Sequence, residues 1–218
     1  MMSAQRTLTE GCEGSPAEMR GSPKWTYYFG DGAAEGGSDM KELLGGKGAG
    51  LAEMTNLGIS VPPGFTIPTS ACVEYYRQGN TFPDGMWGQV SPALHRIEKS
   101  MRMKFGDSEY PLLVSVRSGS RASMPGMMDT VLNVGLTTET VRGLARKTGN
   151  EWFAQDSYRR FIAMFGSIVM GVPRESFEAI LNGKKKEVGV KLETELTVED
   201  LHNLVQSFKL LVKEETKK

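Results

Sequence analysis

The feature that most constrains this chain is a change of hydrophobic period at Gly135. Before it, short β-favouring runs alternate with helical ones; after it, strand signals stop and only helical spacing continues. A chain with both regimes folds as α+β, with a boundary near residue 136. In the first part, Trp25-Thr26-Tyr27-Tyr28-Phe29 reads as a strand ended by Gly30-Asp31-Gly32. Gly45-Gly46-Lys47-Gly48 leads into a helix over 49–57, with Leu51 and Met54 on one face and Gly58 as its stop. Phe65-Thr66-Ile67 forms a short strand after the Val61-Pro62-Pro63-Gly64 turn. Helices follow over 70–78 and 89–104, the second with Pro92 in its first turn. Residues 112–116 read as a buried strand and 131–134 as another; the connection over 118–130 is too long and too rich in small residues for a simple hairpin turn. In the second part, Phe161, Phe165 and Ile168 repeat at i, i+4 and i+7, and Leu201, Leu204, Val205 and Phe208 form another stripe. Both read as core faces, the latter opened by a capping box from Thr197 to Asp200.

Composition removes several classes of function. The 26 basic and 26 acidic residues cancel, so no global field draws nucleic acid or an anionic membrane, although a local anion site remains compatible with neutrality. No apolar run approaches the ~20 residues that span a bilayer. Cys12 and Cys72 alone cannot make a disulfide framework or a four-ligand zinc site, and His95 and His202 read as helix-surface residues. Residues 1–23 lack the apolar segment of a secretory signal. Their acids Glu10, Glu13 and Glu18 argue against a transit peptide, so the stretch reads as a disordered extension.

Two constellations suit phosphate. In Leu44-Gly45-Gly46-Lys47-Gly48-Ala49-Gly50, glycines let backbone N–H groups converge ahead of a helix, and Lys47 adds a point charge. Lys41 and Gly48 stand where a Walker A loop needs glycine and a hydroxyl residue, so this is another kind of loop, or a plain turn with an exposed lysine. The second runs from Ser115 to Thr130 and places Arg117 at a strand end. There its planar fork suits phosphate oxygens, or alternatively an internal carboxylate. The loop that follows has the makeup of a lid. Of Arg159 and Arg160, one belongs on the solvated face and the other can reach a cleft; composition does not say which. Lys184-Lys185-Lys186 reads as a solvated loop, and Glu193-Thr194-Glu195 as a charged linker rather than a pair of metal carboxylates.

Taken together, Met40-Lys41-Glu42-Leu43-Leu44-Gly45-Gly46-Lys47-Gly48, Val61-Pro62-Pro63-Gly64-Phe65, Ser115-Val116-Arg117-Ser118-Gly119, Ala122–Thr130 and Ser157-Tyr158-Arg159-Arg160-Phe161 resemble the pyruvate, phosphate dikinase family. The Met124-Pro125-Gly126-Met127-Met128-Asp129-Thr130 run separates it from phosphoenolpyruvate synthase. The resemblance implies a partial ATP-grasp domain: a disordered extension over 1–23, a first lobe over 24–136 and an inserted all-helical subdomain over 137–218. It implies that Lys47 and Arg117 contact ATP phosphates and that the loop carrying Gly126, Met127, Met128, Asp129 and Thr130 closes over them. Arg160 lies near the same cleft. It further implies conversion of ATP, phosphate and pyruvate to AMP, pyrophosphate and phosphoenolpyruvate through a phosphohistidine on a swivelling domain. Mg2+ would accompany ATP, with ligands in a second lobe beyond these residues. Neither His95 nor His202 lies in the catalytic-histidine motif, so no catalytic residue is assigned here and the chain alone is expected to be inactive. The alternative is a non-catalytic module docking a partner chain that carries the remaining domains. The full-length enzyme is expected to be a homodimer through those domains, with cytoplasmic residence or, alternatively, an organelle such as a plastid or glycosome.

Overall fold

The computed structural model describes residues 22–119 and 129–217. Strand β1 (Tyr27–Gly30) lies between β2 (Ala33–Ala34) and β3 (Gly64–Thr66) in an antiparallel sheet, with Tyr28 opposite Phe65 and Gly30 opposite Ala33. Asp31 and Gly32 form the two-residue turn between β1 and β2, both at positive φ as a primed hairpin turn demands. Helix α1 (Lys41–Asn56) lies against this sheet, and Gly58 ends it as expected: Gly58 and Ile59 donate backwards to the carbonyls of Thr55 and Met54 at 3.0 Å each.

Helix α2 (Thr69–Arg77) is followed by α3 (Met86–Met101), which begins three residues before the predicted start and ends three before the predicted end. Pro92 therefore sits inside α3 rather than in its first turn. The Pro83-Asp84-Gly85 turn leads straight into the helix, with the Met86 N–H bonded to the Pro83 carbonyl, and Met86 buries itself against Trp25 and Ala71. That burial offsets the backbone hydrogen bond that Pro92 removes.

Residues 112–116 are not one buried strand. Strand β4 (Lys104–Phe105) pairs in parallel with β5 (Pro111–Leu112), and after a break at Leu113 strand β6 (Val114–Arg117) pairs antiparallel with β7 (Thr130–Val134). Leu112 is buried, but β6 is half-buried to exposed, Val116 retaining 54% of its surface. The cause is topological: β6 and β7 make a sheet of two strands, which leaves much of its surface without a cover.

The remainder is helical: α4 (Thr140–Thr148), α5 (Glu151–Ile168), α6 (Arg174–Val188) and α7 (Val198–Thr216). One cluster joins Leu136, Val141, Leu144, Ala154, Tyr158 and Val205; another gathers Val172, Phe177, Leu196, Leu201, Leu204 and Phe208. The α7 stripe is core as predicted. The α5 stripe is not: Phe161 is half-buried, while Phe165 and Ile168 are each 36% exposed. Ala154, Tyr158, Ile162 and Gly166 instead form the inner row at four-residue spacing, and Phe177 fills the space over Gly166. Lys184, Lys185 and Lys186 lie within α6 rather than in a loop, Lys184 bonding Glu187 at 2.9 Å. The result is a mixed α+β fold, its helices concentrated after residue 136.

Candidate functional site

Helix α1 contains a break at Gly45, whose φ of 68° and ψ of 165° belong to a region essentially reserved for glycine. Leu44, just before it, is buried, so the break is fixed in place. The chain starts a second helical run at Gly46, and the first N–H groups of such a run have no carbonyl partner within the helix. The glycines here differ in cause. A Cβ on Gly48 would come within 2.8 Å of the Thr66 side chain, so Gly48 is required where the helix packs on β3. A Cβ on Gly46 would meet nothing within 4 Å, so its face is open to an approaching molecule.

Lys47 leaves this start exposed, and its Nζ donates to the backbone carbonyl of Ser118 at 3.2 Å. Ser118 follows Arg117, the last residue of β6, and closes the ribbon by donating its N–H and its hydroxyl to the Asp129 carbonyl at 3.0 and 3.1 Å. Arg117 is directly opposite Thr130. Lys47 thus reaches the backbone one residue beyond Arg117, at the neck where a helix start touches the mouth of the β6–β7 ribbon. Gly126, Met127 and Met128 lie outside the described residues.

Arg117 is exposed, which corrects the reading of it as an arginine at the end of a buried strand. Its Nε donates to the Ser115 hydroxyl at 3.3 Å. Among the described residues no ion pair includes Arg117 or Lys47, so the internal carboxylate considered for Arg117 is not found. Two exposed cations on adjoining elements, without a carboxylate partner among the described residues, favour an anion.

Arg160 is held by acidic partners. On α5, Asp156 is buried and accepts from Arg159 at 2.5 and 3.1 Å and from Arg160 Nε at 2.7 Å. Glu193 adds contacts of 2.6 Å to Arg159 and 3.7 Å to Arg160. Arg159 is the inward arginine, 4% exposed, whereas the Arg160 side chain is 59% exposed. Sequence reasoning missed Asp156, although its spacing of three and four residues before the arginines is the signal for ion pairing on a helix. It also took Glu193 for a linker.

Among the described residues no three His, Cys, Asp or Glu side chains cluster at metal-binding distance. Mg2+ ordinarily takes one or two carboxylates together with phosphate oxygens and waters.

A family profile described as pyruvate phosphate dikinase, AMP/ATP-binding domain, matches residues 41–87, a span that includes Gly45, Lys47 and Gly48. The chain is 54% identical over 186 residues to the chloroplastic pyruvate, phosphate dikinase of Flaveria trinervia, covering 85% of this chain and 19% of that protein. It is 52% identical over 191 residues to the enzyme of Clostridium symbiosum, covering 88% and 21%. It is 50% identical over 191 residues to that of Rhizobium meliloti (strain 1021), again covering 88% and 21%. The chain belongs to the pyruvate, phosphate dikinase family. It spans about a fifth of the length of these dikinases, which include chloroplastic and bacterial proteins. Among the described residues no helix is long and apolar enough to cross a membrane.

Proposed function

We propose that these residues form the ATP-binding part of a pyruvate, phosphate dikinase, with Lys47 and Arg117 gripping the nucleotide's phosphates. The observation that carries this reading is the contact of Lys47 with the carbonyl of the residue after Arg117. Lys47 and Arg117 are exposed cations that form no ion pair among the described residues. A helix start adds backbone N–H groups to the same place. Lys47 supplies a point charge and Arg117 a planar fork, a pairing suited to holding successive phosphates in line for transfer. In this reading Asp129 and Thr130 anchor the segment carrying Gly126, Met127 and Met128 beside those phosphates. Arg160, steadied by Asp156, offers further donors to the cleft. Residues 24–136 act as the first lobe of an ATP-grasp domain and 137–218 as its helical subdomain. Mg2+, when bound with ATP, neutralises phosphate charge through ligands outside these residues.

The overall reaction of this proposal turns ATP, phosphate and pyruvate into AMP, pyrophosphate and phosphoenolpyruvate through a phosphohistidine outside the 218 residues. The enzyme is a homodimer through regions also outside them, and resides in the cytoplasm or, alternatively, in an organelle such as a plastid. By itself the chain binds ATP without turning it over. In the intact enzyme, Lys47→Ala and Arg117→Ala each remove a charge-assisted contact worth roughly 1.5–3 kcal/mol, a loss of about ten- to a hundredfold in phosphate affinity. Phosphorylation of the catalytic histidine by ATP falls accordingly, while the exchange between pyruvate and phosphoenolpyruvate is retained. An equal fall in that exchange would move both residues away from the nucleotide end.

The exposed apolar residues Val116 and Leu132 on the ribbon favour a second reading, a module that docks a chain carrying the remaining domains. Mixing the two chains then restores pyruvate-dependent AMP formation; a mixture as inert as either chain alone rejects it.

A further inference from the structure

A shallow, open recess of about 520 Å³ lies where α3 ends and β4 begins, lined by Lys99, Arg102, Lys104, Tyr110 and Met103 together with His95 and the acids Glu98 and Asp107. Both carboxylates are turned to backbone N–H groups, which orients them without removing their charge, so the three cations exceed the acids by one. Glu98 accepts the Phe105 N–H at 2.8 Å, and one Asp107 oxygen accepts the N–H groups of Glu109 and Tyr110 at 2.7 and 2.8 Å. The three cations are exposed, and none forms an ion pair among the described residues. Lys147 Nζ lies 3.0 Å from the sulfur of Met103, a weak acceptor, and forms no ion pair among the described residues.

Helix ends gather cations to bond the last carbonyls and to offset the negative end of the dipole, an account that reaches Lys99 and Arg102 but not Lys104 on β4. The Arg102 and Met103 N–H groups turn back to the carbonyls of Lys99 and Glu98, so the backbone closes the end of α3 by itself. Arg102 occupies the left-handed position of that closure, at φ 53° and ψ 37°, where glycine is the unstrained choice. An arginine held in a strained conformation at the edge of a basic recess points to a use for its side chain.

We propose that this recess is a second oxyanion site, separate from the neck, that takes a small molecule bearing phosphate. Lys99, Arg102 and Lys104 supply the charge, and the exposed Tyr110 supplies a wall. The test is titration of the full 218-residue chain with inorganic pyrophosphate, read by amide chemical shifts. Saturable shifts are expected at Lys99, Arg102, Met103 and Tyr110, and they persist in Lys47→Ala/Arg117→Ala, which removes both cations of the neck. The double variant Lys99→Gln/Arg102→Gly, whose glycine suits the left-handed backbone, binds at these positions more weakly by about tenfold or more, as loss of charged contacts requires. Lys104→Gln gives an independent single-site loss. Saturable shifts confined to Gly46, Lys47 and Ser118, or unchanged affinity at the recess in the variants, overturn the proposal.

Discussion

Two residues fix the local geometry on which the candidate site depends. Gly45 holds a backbone conformation that a Cβ makes costly, so Gly45→Ala is expected to destabilise the fold by about 1–3 kcal/mol, measured by denaturant unfolding. It should also weaken ATP binding, because the helical start at Gly46 would shift. Asp156 holds two arginines, one of them buried, and Asp156→Ala leaves Arg159 with Glu193 as its remaining acidic partner. Removing one partner of a buried charge costs about 3 kcal/mol, so the same measurement should show a large loss there and a smaller one for Arg160→Ala. The sequence announced Lys47 and Arg117 by residue type, because glycines around a lysine and an arginine at a strand end are unusual enough to be noticed. It did not announce that Lys47 reaches Ser118, a contact between positions 71 residues apart that only the fold creates. Nor did it separate Arg159 from Arg160: adjacent helical residues both reach Asp156, and which one points inward depends on the packing of α5.

The elements were most legible where local chemistry and packing agree. Thr197 and Asp200 cap α7 reciprocally, as the sequence pattern indicated, and the apolar stripe behind them is core. The Thr197 hydroxyl and backbone N–H both bond the Asp200 carboxylate and hold its pKa below the ordinary aspartate range. A carboxyl depressed by folding contributes stability above its unfolded pKa, near 4, and loses it as pH falls through the lower folded value. Wild type should therefore melt above Asp200→Asn at pH 7, with the gap narrowing as pH drops below about 4. Thermal unfolding across that range checks the sign. Elements were misread where packing outweighed local preference. Met86 drew α3 upstream of its proline, and Leu113 broke a run of apolar residues into β5 and β6 by turning toward the helices. Phe165 and Ile168 kept perfect helical spacing, yet they stand on the flank of α5, because period alone fixes a stripe and not the direction it faces.

At the scale of the molecule, the exposed apolar residues of the ribbon make little contribution to the core. Val116→Thr with Leu132→Ser should change unfolding free energy by no more than about 0.5 kcal/mol per site, while binding of a hydrophobic dye falls. A large destabilisation would show that these side chains are covered in solution. The ribbon itself has a further consequence. Val114 packs with Tyr28, Ile97 and Leu112, whereas its neighbour Leu113 packs with Leu136, Tyr158 and the helices. Consecutive side chains are sewn into different cores, so the frontier that composition draws at residue 136 is no place for a clean cut. A protein beginning at 137 would keep the Phe177–Phe208 cluster but leave the other with bare flanks, and limited proteolysis there should yield one durable body and one frayed remnant rather than two independent folds.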